Sequence, residues 1–65
     1  MNFMLGALIK KLEGEIAIAK ANILVYTRNS TGIGEHPEVV EAIESQISKI
    51  AEAQDKINTI KDLKL

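Results

Sequence analysis

The stretch RNSTGIGEHPEVV, residues 28 to 40, gathers most of the side chains that could do chemistry. It holds the single histidine, His36, between Glu35 and Pro37, with Ser30 and Thr31 upstream and Glu38 downstream. A histidine near a hydroxyl can serve as a general base, but only with a third group to orient the ring and donors to hold the developing oxyanion. The neighbouring residues supply neither. Gly32-Ile33-Gly34 could bring backbone N–H groups to a phosphate, yet the third glycine and the preceding strand of a phosphate fingerprint are missing. Glu35, His36 and Glu38 offer nitrogen and oxygen to a metal. With one histidine and no cysteine, they fall short of a structural zinc centre. Asn29-Ser30-Thr31 matches a glycosylation sequon, which matters only in a chain that enters the secretory pathway. These residues argue against an enzyme, and no cofactor or metal is expected.

The same residues explain themselves as a bend. Asn29, Ser30 and Thr31 carry side chains that compete with helical hydrogen bonds. Gly32 and Gly34 tolerate positive φ, and His36, preceding proline, is biased away from helical geometry. Ile33 is the odd apolar residue, expected to tuck over the end of the helices. An exposed loop is therefore expected at about residues 29–36. Thr31, Gly32, Ile33, Gly34, Glu35 and His36 would be its partner-binding surface if it has a role beyond the turn.

Two helices must position that loop. Leu5, Ile9, Leu12, Ile16, Ala19, Ile23 and Tyr26 recur at alternating spacings of four and three, an unbroken heptad seam. Asn2 is a suitable N-cap, so the first helix is expected over about 3–28. It carries a second stripe of Met4, Ala7, Gly14, Ile18, Ala21 and Val25, interrupted by Lys11. A helix apolar on two sides is normally covered on two sides. The second helix is expected over about 37–63, with Pro37 at its first position and Glu38, Glu41 and Glu44 near its positive end. Lys56, Lys61 and Lys64 stand near its negative end. One stripe reads Val40, Ile43, Ile47, Ile50, Ile57 and Ile60, with Gln54 filling a seam position. Most of the remainder is polar, and Glu52 and Lys56 have the favourable i,i+4 order.

The expected fold is all-α: one domain, residues 1–65, folded as an antiparallel two-helix hairpin that dimerises into a four-helix bundle. Size leads to the same place. A chain of 65 residues makes a marginal core, and small proteins rely on disulfides, metals or self-association. Cysteine is absent, which removes disulfides and fits a reducing cytoplasm. Self-association remains, with Ala7, Gly14, Ile18, Ala21 and Val25 as the expected oligomer interface. The seven-residue apolar run from Phe3 to Ile9 is far too short to span a bilayer, and its lysines follow rather than precede it. A membrane role is therefore not expected.

Charge excludes little except a strong grip on nucleic acid. Eight basic residues face nine acidic ones, a poor balance for neutralising phosphates. Residues 1–28 hold four cations against two acids, a net of +2, and residues 37–65 hold six acids against four lysines, a net of −2. The halves attract one another weakly.

TGIGEHPEVVEAIESQISKIAEA resembles a segment of small uncharacterised proteins from tailed bacteriophages, in which a GIGEHP loop precedes an EAI-containing helix. The resemblance covers roughly residues 15 to 60 and implies an accessory role in a bacterial host, without an activity or catalytic residue. The favoured expectation is a small non-enzymatic structural or protein-interaction module acting as a homodimer, with a protein partner still to be identified. The alternative is a regulatory RNA binder, since hairpin dimers resembling the plasmid RNA-regulating Rop protein hold RNA on exposed helix faces. That would require Lys10, Lys11, Lys20 and Arg28 to converge across the dimer.

Overall fold

The computed structural model of the chain describes residues 2–28 and 37–65; the loop residues Thr31 to His36 lie outside them. Helix α1 runs Phe3–Arg28 and helix α2 runs Pro37–Leu63. Asn2 caps α1: its Oδ1 accepts the Leu5 N–H at 2.9 Å, and its carbonyl accepts the Gly6 N–H at 3.0 Å. One orphan donor of the first turn is thereby satisfied by a side chain. At the other end the Thr27 hydroxyl donates to the Ile23 carbonyl at 2.9 Å, and Arg28 supplies a cation in the last turn. Helix α2 opens with Pro37, which lacks the N–H that a first turn leaves unpaired, and with Glu38 at the positive end. Past its end, Lys64 takes a left-handed conformation (φ 55°), and its N–H reaches the Lys61 carbonyl at 3.3 Å.

The two helices pack against each other as a hairpin. Leu12, Ala53, Ile57 and Ile60 form a buried cluster, with Leu5, Ile9 and Ile16 packed around it. The start of α1 therefore lies along the end of α2, an antiparallel pairing. Ala19 is also buried, and Ile23 and Tyr26 continue the line half-buried. All seven residues of the α1 seam thus turn towards α2.

The α2 seam departs from the expected stripe. Val40 and Ile47 are 69% and 53% exposed, and Gln54 is exposed as well, with its Nε2 donating to Asn58 Oδ1 at 3.2 Å. The side that meets α1 is Val39, Ile43, Gln46, Ile50, Ala53, Ile57 and Ile60, again at spacings of four and three. Ala19 and Ala53, both nearly fully buried, keep the contact narrow, so residues one step round the helix fall outside it. Gln46, at 8% exposure, is the buried polar group of the described residues.

The Cα trace is 49 Å long and only 14 by 11 Å in cross-section, so each helix has one neighbour. No large side chain among the described residues is completely buried. The hairpin by itself has a seam but no enclosed core.

Candidate functional site

An uncovered apolar face of α1 is the feature that asks for a function. At 100° per residue, Ala7, Gly14 and Ala21 each stand about 200° from both flanking seam residues, on the side of α1 turned away from α2. Around this small-residue line lie Phe3 (84% exposed), Met4 (65%), Ile18 (64%), Leu24 (49%) and Val25 (56%). The residues expected at an oligomer interface, Ala7, Gly14, Ile18, Ala21 and Val25, are all exposed on the hairpin and share this face. A Cβ built on Gly14 would meet nothing within 4 Å. Isolated exposed hydrophobics are ordinary, whereas here several large ones share one side of a single helix.

Two lysines cross the middle of the face. Lys10 Nζ lies 3.7 Å from Glu13, and Lys11 Nζ lies 3.3 Å from Glu15. Both pairs are well exposed and contribute little to stability. Their consequence is charge placement: each lysine has a carboxylate beside it, so the face carries no bare basic patch at its centre.

A second feature lies between the helices. Glu15, Ile18 and Asn22 of α1, with Gln46, Lys49 and Lys56 of α2, help to line an open groove of about 420 Å³. At its floor the Asn22 amide Nδ2 donates to Gln46 Oε1 at 3.1 Å. Two carboxylates and two lysines edge the groove, Lys56 pairing with Glu52 at 3.2 Å as the i,i+4 spacing predicts. No described histidine, serine, threonine or cysteine lines the groove; its polar groups are carboxylates, amides and ammonium groups.

Among the described residues, no group of three or more His, Cys, Asp or Glu side chains could hold a metal ion. No described helix is long and apolar enough to cross a membrane. The Asn22–Gln46 pair was missed by reading large apolar residues alone. Its signal was present, because Gln46 continues the line of Ile43 and Ile50 at spacings of three and four. Comparisons of the chain with protein-family models, with curated proteins and with solved structures found no match.

Proposed function

We propose that this chain is a small, non-enzymatic protein-interaction module that works as a homodimer, with the outer face of α1 as its assembly surface. The observation that carries this reading is that face itself: Ile18, Leu24 and Val25 stand more than half or nearly half exposed beside the open backbone of Gly14. Covering them removes apolar surface from water at roughly 25 cal/mol per Å², which a seam with five buried apolar side chains lacks. Two hairpins joined in this way make a four-helix assembly. The absence of cysteine suits a reducing compartment such as the bacterial cytoplasm. The likeness of the GIGEHP string to small tailed-phage proteins supports an accessory role in which the dimer presents itself to another protein.

Sedimentation at micromolar concentration tests the reading. A dimer is expected, with a helical thermal midpoint that rises with protein concentration. A stable monomer whose midpoint ignores concentration would remove it. Titration against mixed RNA and DNA at low salt separates this module from an RNA-regulating hairpin dimer. The Lys10–Glu13 and Lys11–Glu15 pairs lead to the expectation of no binding.

A further inference from the structure

We infer that the surface covering α1 is α1 of a second copy, laid antiparallel across it, with the two-fold axis passing beside Gly14. This rests on the reading of the outer α1 face as the assembly surface and specifies how that face is used. The face is self-complementary about Gly14. Ala7 and Ala21 stand equally far from it on either side, so turning the helix end for end lays Ala7 over the partner's Ala21 and Gly14 over the partner's Gly14. The small residues coincide, and the open space above Gly14 lets the two backbones approach closely. The bulky residues nearly coincide too. On one edge of the face Met4 comes within one residue, about 1.5 Å, of the level of the partner's Val25, and on the other Phe3 comes equally near the level of the partner's Leu24. All four are among the most exposed apolar side chains of α1.

Charge selects this direction over the parallel one. In a parallel pair each residue meets its own level in the other chain, so Lys10 and Lys11 face lysines while Glu13 and Glu15 face glutamates. In the antiparallel pair Lys11 and the partner's Glu15 lie on the same edge, offset along the axis by about 3 Å at 1.5 Å per residue. Each Lys11, already 3.3 Å from its own Glu15, then stands between two carboxylates. Alternation of sign fixes direction and register even where it adds little affinity. Because the face points away from α2, the two α1 helices form the middle of the assembly and the two α2 helices its outside. This is a layered arrangement rather than a square bundle.

Thiol cross-linking decides between the directions, since the chain has no native cysteine. Met4→Cys and Val25→Cys proteins are prepared separately, sedimented to check the dimer, then mixed, exchanged and treated with a short thiol-reactive cross-linker. The mixture should yield a product of doubled mass on a denaturing gel. Met4→Cys alone should not, because its two thiols would lie about 30 Å apart along the axis at 1.5 Å per residue. Phe3→Cys with Leu24→Cys repeats the test on the other edge, should the first pair weaken assembly. A dimer in which Met4→Cys links to itself, or in which neither mixture links, overturns the antiparallel packing while leaving the assembly surface standing. A native chain that sediments as a monomer removes both.

Discussion

The amide of Asn22 donates across the α1–α2 seam to Oε1 of Gln46 at 3.1 Å. This bond joins the two helices, whereas the side-chain hydrogen bonds of Asn2, Thr27, Gln54 and Thr59 stay within one helix or its cap. A buried amide without a partner would cost more than the bond returns, so the two residues have to be read together. An isolated polar contact in an apolar seam also fixes register, because sliding the helices by one turn would leave both amides without each other.

Removing one partner should therefore cost more than removing both. Asn22→Ala is expected to lose about 1 kcal/mol, since it leaves Gln46 to find water through the groove. Replacing both residues by leucine should leave stability equal or higher while loosening register. Urea denaturation reads the first effect, and the dispersion and number of amide resonances read the second. A double variant with one sharp set of resonances would show that the pair does not specify alignment.

Much of this fold was legible in residue order. The α1 seam from Leu5 to Tyr26 lies where its spacing puts it, and Asn2 makes the cap that its type suggests. On α2 the bulky apolar side chains and their spacing predict a seam that includes Val40, Ile47 and Gln54. The helix instead turns Val39, Gln46 and Ala53 inward. Size misled there because contact depends on what α1 presents: a small Ala19 and an Asn22 able to satisfy Gln46. That match is a property of two segments far apart in sequence, which periodicity within one helix does not contain. The outer face of α1 was visible as a stripe, but which stripe met α2 became clear only from the packing.

Burial separates two isoleucines of the same helix. Ile57 is 3% exposed inside the cluster with Leu12 and Ile60, whereas Ile47 is 53% exposed. Ile57→Ala should cost about 2–5 kcal/mol, enough to unfold so slight a seam, and Ile47→Ala should stay within about 0.5 kcal/mol. Thermal melts followed by circular dichroism distinguish them. Equal losses would mean that Ile47 is also covered, which would place the second copy against α2 rather than α1.

Ile18 tests the outer face, since it borders the open groove between the helices but is not among the buried residues of the seam. Its side chain is 64% exposed on the hairpin, so Ile18→Lys should leave helicity intact. In the antiparallel pair the new lysine would face the partner's Lys11, and the burial of one isoleucine would be forfeited in each of the two copies, about 1.5–3 kcal/mol of association free energy per copy. Ser48→Lys, on the exposed side of α2, is the matched control and should sediment as the native chain does. An Ile18→Lys protein with undiminished dimerisation would move the assembly surface elsewhere.

In the proposed dimer Gly14 would meet demands opposite to those it meets in the single hairpin. Within one hairpin it is an exposed glycine in mid-helix with nothing within 4 Å of an added Cβ, so Gly14→Ala should stabilise the isolated hairpin by about 0.5–1 kcal/mol. Between two copies the same methyl group would stand where the helices come closest and would push them apart. The sign of the effect should therefore reverse with concentration. At high dilution the Gly14→Ala protein should melt above the native chain, and at concentrations where the native chain is fully dimeric its advantage should shrink or invert. Gly14→Leu should go further, leaving a helical hairpin that sediments as a monomer or in a remodelled assembly. Melting curves across a wide dilution series, paired with sedimentation, measure both. A Gly14→Leu protein that keeps the native dimer at native or higher stability would show that this side of α1 faces water in the assembled protein.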